Sequence, residues 1–231
     1  MKLALVLCSG GLDSVTTAYY VKKILKYKAI KIIFFNYVQR NLEGEEMFAK
    51  ACAEEIGAEF IKIDLNWLGE ISNSLINSDK KAKKLERADL KDTKEESMKY
   101  YVPCRNTIFL VHALAYAESL FIKNERRWDI FVGFKCEGKE SYPDTTQAFL
   151  DSINSLGKIG CSTDFKIIAP LIEKDKEDIV LLGNKLGIDF TKTLSCYIGP
   201  KMHCGACLAC KLRQEGFYWA NVKDPTFYAE N

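Results

Sequence analysis

The chain alternates between short apolar runs and stretches in which apolar residues recur every three to four positions. The apolar runs, which predict buried strands, lie at residues 2–8, 30–36, 58–65, 128–134 and 165–171. The amphipathic stretches, which predict helices, lie at residues 13–26, 43–56, 108–121, 145–156 and 174–187. Strands that alternate with helices of this length are typical of a doubly wound parallel sheet. We therefore predict an α/β domain over residues 1–190.

The stretch from residue 66 to residue 100 interrupts this alternation. Its part from 79 to 99 mixes both signs of charge densely and contains only Leu85, Leu90 and Met98 as sizeable apolar residues. Interleaved charges of both signs are typical of a solvated surface rather than of a nucleic-acid patch. We predict a charged insertion or lid at this point of the chain.

Composition narrows the class of partner. The 231 residues include 33 basic and 31 acidic side chains, a net charge of +2, so nothing in the overall charge indicates nucleic acid. The first apolar run is too short for a signal peptide, and no run of about 18 apolar residues suggests a membrane span. We expect small-molecule partners, with neither a membrane nor a nucleic acid involved.

Cysteines are concentrated near the carboxyl end. Four of the nine form the pattern C-x7-C-x2-C-x2-C at Cys196, Cys204, Cys207 and Cys210. Thiolates at this spacing suit one tetrahedral Zn2+ with no open position, which predicts a structural zinc-binding extension over residues 191–231. An iron–sulfur cluster and free thiols are the alternatives. The odd cysteine count favours reduced thiols and hence the cytoplasm.

The first predicted strand runs directly into Ser9-Gly10-Gly11-Leu12-Asp13-Ser14, after which a helix is predicted. Glycines allow a sharp turn, successive backbone N–H groups then face one concavity, and the helix N-terminus attracts anions. The loop is therefore predicted to hold phosphates. A plain turn in which Asp13 caps the helix is the alternative.

The loop closely resembles the signature of the PP-loop ATP pyrophosphatases. Further segments extend the resemblance over nearly the whole chain to the 7-cyano-7-deazaguanine synthases of the queuosine pathway. They are NYVQRN (36–41), YVPCRNTIFL (101–110), ESYPDTT (140–146), PLIEKDKEDI (170–179) and the cysteine-rich end. The fold that this resemblance implies is the adenine nucleotide alpha hydrolase-like sheet.

The resemblance also implies a reaction: ATP and Mg2+ activate 7-carboxy-7-deazaguanine as an adenylate, ammonia converts it to the amide, and a second ATP leads to the nitrile. In this assignment the catalytic residues are Asp13, Arg105 and Lys176. ATP would be held by residues 9–14, that is Ser9, Gly10, Gly11, Leu12, Asp13 and Ser14. The substrate side would consist of Gln39, Arg40, Asn106, Gly133, Tyr142 and Asp144. The resemblance further suggests a homodimer.

Three positions depart from the family pattern. Asn41 stands where the family has His, Cys104 where it usually has Gly, and Thr146 where it has Arg. Loss of His removes a titratable group, and loss of Arg removes a bidentate anion anchor. One hypothesis is therefore a divergent paralogue that stops at the amide or joins the activated carboxylate to another acceptor.

Two further alternatives remain open from the sequence. A PP-loop tRNA-thiolating enzyme would need a reactive thiol pair, for which Cys104 and Cys136 are candidates. A zinc-containing binding module on an inactive scaffold would need no ATP chemistry, but the intact loop argues against it.

Overall fold

The computed structural model describes residues 2–135, 142–199 and 202–229. Its centre is one sheet of five strands, all parallel, in the order β3-β2-β1-β4-β5. The strands are β1 (Leu3–Leu7), β2 (Ala29–Asn36), β3 (Glu59–Asp64), β4 (Asp129–Phe131) and β5 (Ile167–Ile168). The predicted doubly wound α/β fold is confirmed.

Eight α-helices accompany the sheet in the described residues. They are α1 (Leu12–Lys23), α2 (Leu42–Ile56), α3 (Asn66–Glu70), α4 (Lys94–Met98), α5 (Arg105–Asn124), α6 (Gln147–Gly160), α7 (Lys176–Lys185) and α8 (Leu208–Trp219). Two apolar clusters cover the sheet, one containing Leu5 and Ile130 and the other Val6 and Phe131. Consecutive strand residues thus pack on opposite faces of the sheet, as is required of a sheet that is buried on both sides. None of these helices has the length and apolarity needed to cross a lipid bilayer.

Strand order decides where a ligand can bind. The chain runs outward from β1 through β2 to β3 and then returns to place β4 on the other side of β1. Val6 of β1 pairs with Phe131 of β4, so the loops that follow these two strands diverge from neighbouring positions. Such a switch point opens a crevice at the carboxyl edge of the sheet.

The strands on this side are shorter than the apolar pattern predicts. Only Ile167 and Ile168 of the run 165–171 pair with β4. The carbonyls of Lys166 and Ile168 accept hydrogen bonds from β4 and from the residue that follows it, so position 170 would face β4 as well, and Pro170 has no N–H to donate there. The apolar residues beyond it still belong to the core, because Leu171 is fully buried.

Residues 66–100 do not form one continuous helix or strand. They contain α3, α4 and a 3-10 turn at Arg87–Lys91, joined by irregular backbone. Buried Leu85 anchors the segment, and its backbone N–H donates to the carbonyl of Ala206 at 2.9 Å. The Arg87 guanidinium makes an ion pair with Glu215 of α8. The charged segment is therefore fastened to the cysteine-rich end of the chain.

The carboxyl-terminal residues pack back on the α/β domain through α8, which lies against α7. Arg213 of α8 is completely buried. Its guanidinium donates to Thr193 Oγ1 at 2.9 Å and to the Phe190 carbonyl at 3.0 Å, and its Nε donates to Thr226 Oγ1 at 2.9 Å. One side chain therefore ties both ends of the extension together.

Candidate functional site

A cavity of about 290 Å³ lies at the carboxyl edge of the sheet, between the loops that follow β1, β2 and β4. Residues of the glycine-rich loop form one wall, and Phe35, Tyr37 and Phe109 form an aromatic wall. The rings of Phe35 and Phe109 are stacked with centroids 4.2 Å apart. A glycine-rich loop at a helix N-terminus opposite flat aromatic surfaces suits a ligand that has both an anionic and a planar part.

The loop after β1 makes the sharp turn that its glycines predict. Gly10 has φ = 76°, and a Cβ at this position would lie 2.7 Å from the Glu45 carbonyl oxygen and 2.9 Å from Phe48 Cβ. Only glycine satisfies both the backbone conformation and this close approach to α2. The Gly10 carbonyl also accepts a hydrogen bond from the Leu194 N–H at 2.9 Å, which joins the loop to the carboxyl-terminal extension.

Asp13 is not the cap of α1. The helix begins at Leu12 with Gly11 in the capping position, so the interpretation of Asp13 as an N-cap is wrong. Its carboxylate instead accepts two hydrogen bonds from Lys176 Nζ, at 2.7 and 2.8 Å. Lys176 is the first residue of α7, where Asp175 caps the helix by accepting from the Asp178 N–H at 3.0 Å. Two helix N-termini thus place an acid and a base together beside the loop.

A glycine on α8 makes room for Lys176. A Cβ at Gly216 would lie 2.3 Å from Lys176 Cγ and 3.1 Å from its Cβ. The aliphatic stem of the lysine therefore passes over this point of α8 on its way to Asp13. Because Gly216 has no side chain, Lys176 can pass α8 and reach Asp13.

Arg105 and Asn106 begin α5 and line the same cavity. The Arg105 Nε donates to Asn106 Oδ1 at 3.3 Å, and its guanidinium lies 5.9 Å from the centre of the Tyr37 ring. The Asn106 Nδ2 donates to the Asp144 carbonyl at 3.3 Å. Arg105 therefore supplies positive charge inside the cavity, while Asn106 holds the turn that carries Asp144.

The remaining predicted substrate residues fall into two groups. Gly133 and Tyr142 line the cavity, and the Tyr142 hydroxyl donates to the Ser97 carbonyl at 2.9 Å. Asp144 is buried and does not line the cavity, and desolvation raises the pKa of its carboxyl. Gln39 and Arg40 do not line the cavity.

Gln39 is occupied by the backbone of its own turn: it accepts from the Tyr37 N–H at 2.9 Å and donates to the Phe35 carbonyl at 3.0 Å. Arg40 donates to the Lys80 carbonyl at 3.0 Å. These two residues of the NYVQRN segment shape the turn after β2 and connect it to the charged segment. A role for either in direct substrate contact remains a prediction.

The sequence analysis missed Glu45, which lines the cavity from the first turns of α2. Desolvation raises the pKa of its carboxyl to about 7, although a hydrogen bond from Gln39 opposes the shift. The position carried a signal: Glu45 precedes Ala49, Cys52 and Ile56 by four, seven and eleven residues, which is the buried face of the helix. A carboxyl group on the buried face of a helix usually has a hydrogen-bond or ion-pair partner or takes part in a functional site.

Two of the departures from the family pattern have structural explanations. Cys104 has φ = 54°, the left-handed conformation that glycine adopts without strain. Thr146 is the N-cap of α6, and its hydroxyl accepts from the Phe149 N–H at 3.2 Å. Cys136, the other thiol of the thiolation hypothesis, lies outside the described residues.

The four clustered cysteines converge on one point. Their sulfur atoms all lie within 4.8 Å of one another, with Cys196 Sγ 3.9 Å from Cys207 Sγ and Cys204 Sγ 4.0 Å from Cys210 Sγ. A tetrahedral zinc–thiolate centre needs sulfurs about 3.8 Å apart. Backbone N–H groups of Gly199 and Cys207 donate to the sulfurs of Cys196 and Cys204, at 3.1 and 3.2 Å. The cluster therefore fits a metal ion held by four thiolates.

His203 is not a fifth ligand. Its Nε2 accepts a hydrogen bond from the Ser195 N–H at 3.0 Å, and burial lowers the pKa of the imidazole to about 4. A neutral ring is required for this contact, which fixes the backbone next to Cys196. The extension also contributes Leu194, Ser195 and Tyr197 to the cavity wall.

Comparison with known proteins agrees with this architecture. The model of the family "Queuosine biosynthesis protein QueC" matches residues 3–221. A 7-cyano-7-deazaguanine synthase of Methanosphaera stadtmanae is 40% identical over 229 residues, 97% of each chain. The enzyme of the same name from Methanothermobacter thermautotrophicus is 34% identical over 98% of this chain and 99% of its own. A third, from a Nitratiruptor species, is 38% identical over 97% and 98%. The chain belongs to the QueC family of queuosine biosynthesis proteins.

Proposed function

We propose that the protein is a 7-cyano-7-deazaguanine synthase, which converts 7-carboxy-7-deazaguanine and ammonia to the nitrile with ATP. The observation that carries the proposal is the convergence of the glycine-rich loop, Lys176 and Arg105 on one cavity with an aromatic wall. Full-length relatives of this name favour this function over a divergent acceptor or a thiolating enzyme.

In the first half of the reaction, a carboxylate oxygen of the substrate attacks the α-phosphorus of ATP, and the bond to pyrophosphate breaks. Negative charge grows on the departing pyrophosphate, where the loop N–H groups and the N-terminus of α1 stabilise it. Lys176 is placed beside the loop by Asp13 and adds a positive charge that moves to the phosphates when ATP and Mg2+ enter. Arg105 supplies the second positive charge from the start of α5.

In the second half, ammonia forms a bond to the acyl carbon as the bond to AMP breaks, and loss of one proton yields the amide. The amide oxygen then attacks a second ATP, pyrophosphate leaves again, and loss of AMP with two protons gives the nitrile. One set of phosphate-binding residues can serve both activations, because each displaces pyrophosphate from the α-phosphorus of ATP. The stacked pair Phe35 and Phe109 offers a flat surface for the deazapurine.

The four-thiolate site is proposed to hold one Zn2+ with a structural role. Four sulfurs leave no open coordination position, so such an ion would not touch substrate. Bound there, the ion would fix the backbone of residues 194–197, which form part of the cavity wall. We also propose that the protein acts as a homodimer in the cytoplasm.

Mass spectrometry of the product tests the proposed function. Purified protein is incubated with 7-carboxy-7-deazaguanine, ATP, Mg2+ and ammonium, while pyrophosphate release is measured in parallel. A nitrile formed with two pyrophosphates per molecule supports the proposal. Accumulation of the amide would contradict it, and so would pyrophosphate release only with another acceptor.

A further inference from the structure

One end of the cavity carries two side-chain hydrogen-bond acceptors, Asn41 Oδ1 and the Glu45 carboxylate, and the first of them has no donor among the described residues. Asn41 and Glu45 lie one helical turn apart at the start of α2, and both line the cavity. The Asn41 Nδ2 donates to the backbone carbonyl of Cys196. Its Oδ1 is buried and has no hydrogen-bond partner among the residues that the structure describes. A buried carbonyl left unsatisfied destabilises the fold, so this atom points to a donor that arrives with a ligand.

Glu45 is the second acceptor. Its Oε2 accepts from Gln39 Nε2 at 2.9 Å, and the Asn41 amide lies close enough to lower the pKa of the carboxyl further. Within residues 2–135, 142–199 and 202–229, no lysine or arginine makes an ion pair with this carboxylate. The charge of Arg105 acts on Glu45 from elsewhere in the cavity but makes no ion pair with it, so no cation is in direct contact with this carboxyl among the described residues.

The position of this acceptor pair is next to the phosphate loop. The Glu45 carbonyl oxygen lies against Gly10, and the charge of its carboxylate acts on Cys8, which immediately precedes the loop. In the proposed reaction the carbon under attack is bonded through one oxygen to the α-phosphorus. A ligand at Glu45 and Asn41 would thus sit near that carbon.

On the basis of the proposed function, we propose that the Glu45 carboxylate and Asn41 Oδ1 bind the ammonium ion that supplies the nitrogen of the product. The ion gives one proton to the Glu45 carboxylate and then attacks the acyl carbon as ammonia. Ammonium carries four N–H donors and one positive charge, so it satisfies the orphaned carbonyl and neutralises the carboxylate together. The N–H edge of a deazaguanine ring has donors too, but it is uncharged and lies on the side of the ring away from the 7-substituent. Charge and position both favour ammonium.

The test compares Glu45→Gln with Glu46→Gln, a matched control on the same helix. The Glu46 carboxylate pairs with Lys50 and Lys62 at 2.7 and 2.8 Å and does not line the cavity. Loss of a hydrogen bond to a charged group predicts that E45Q raises KM for ammonium about 10- to 100-fold. Its KM for the deazapurine, measured by pyrophosphate release without ammonium, should stay within about threefold of wild type. E46Q should change neither constant.

Hydroxylamine sharpens the comparison. It is an uncharged nucleophile at neutral pH, so E45Q should use it nearly as well as wild type does. Equal ammonium KM values in E45Q and wild type would overturn the proposal. A rise in the deazapurine KM instead would also overturn it, because the acceptors would then read the edge of the base.

Binding can be followed without turnover. Ammonium chloride should raise the melting temperature of wild-type protein above that measured in tetramethylammonium chloride, and E45Q should show no difference between the two salts. Equal effects of the two salts on wild type would overturn the ammonium site. A wild-type protein that binds ammonium in this way but releases no pyrophosphate would overturn the proposed function, so the two failures are distinguishable.

Discussion

The Nζ of Lys176 lies 2.7 and 2.8 Å from the two carboxylate oxygens of Asp13, although the residues are 163 positions apart in the chain. The pair joins the N-terminus of α7 to that of α1 beside the glycine-rich loop. Asp13 thus holds the lysine side chain at the edge of the cavity before any anion arrives. An arrangement of this kind prepares a positive charge for a phosphate at little cost in reorganisation.

Replacing Lys176 should disable pyrophosphate release. We expect Lys176→Met to lower its rate about 100- to 1,000-fold, because a positioned charge on the leaving group is lost. Lys185→Met, at the exposed end of the same helix, is the control and should retain wild-type activity. A Lys176→Met protein within threefold of wild type would show that the lysine has no part in the chemistry.

The glycine beside Lys176 gives an independent test of the same geometry. Gly216→Ala places a methyl group where Lys176 Cγ now lies, so we expect at least a tenfold loss of pyrophosphate release in a folded protein. Gly160→Ala is the matched control, since a Cβ at that position meets nothing within 4 Å. Circular dichroism and activity should be measured on both; equal activities would contradict the assigned path of the lysine.

Glu45 should make stability depend on pH. Burial raises the pKa of its carboxyl from an ordinary 4.5 to about 7, so the folded protein holds this proton more tightly than the unfolded chain does. Wild type therefore loses stability as pH rises from about 4.5 to about 7, by about 3 kcal/mol at most, and the loss is constant above that. Glu45→Gln carries no charge, so its advantage in urea unfolding should grow across this window.

Glu46 should affect the pH dependence of stability in the opposite direction. Hydrogen bonds from Lys50 and Lys62 lower the pKa of its carboxyl, so the ionised form stabilises the fold. That contribution is present above the ordinary pKa and disappears as pH falls through the lowered one. Glu46→Gln should therefore be less stable than wild type at neutral pH, and the same trend in both variants would argue against the assignment for Glu45.

The metal site predicts one Zn2+ per chain. Because the four ligands are brought together only in the fold, we expect Cys207→Ser to lose the metal and to lower the melting temperature of the protein. Cys161→Ser, which lies outside the cluster, should keep both. Elemental analysis together with an assay for acid-labile sulfide identifies the bound metal. Zinc without sulfide would support the prediction, whereas iron with sulfide would show that the site holds an iron–sulfur cluster.

Cys104 tests the cost of a left-handed backbone at a non-glycine residue. Cys104→Gly relieves a strain of about 1–2 kcal/mol and loses about 0.5–1 kcal/mol to the flexibility of glycine in the unfolded chain. We expect a net gain of about 0.5–1 kcal/mol in urea unfolding, whereas Cys104→Ala, which keeps the strain, should gain nothing. Loss of all pyrophosphate release in both variants would instead support the hypothesis that Cys104 is a catalytic thiol.

The apolar pattern predicted the strands and helices of the sheet because burial on two faces leaves a periodicity that can be read locally. The pattern predicted a strand over residues 165–171, which is too long, because only Ile167 and Ile168 pair with β4. Apolar character indicates that a residue is buried, not that it pairs with a neighbouring strand. The pattern also gave no sign that Arg213, an ordinary charged residue in the sequence, is completely buried. The four residues that accept hydrogen bonds from its guanidinium are distant along the chain, and only the fold brings them within reach.

By itself, the sequence determined the parallel α/β class, the glycine-rich loop at residues 9–14 and the cluster of four cysteines, because each depends on residue types at short spacings. Tertiary structure alone decided that Lys176 meets Asp13, that Gly216 makes room for it, and that Glu45 and Asn41 share one end of the cavity. These relationships join residues from separate helices. Their distances follow from the order of the strands and the packing of the helices upon them, and neither is encoded in any local stretch.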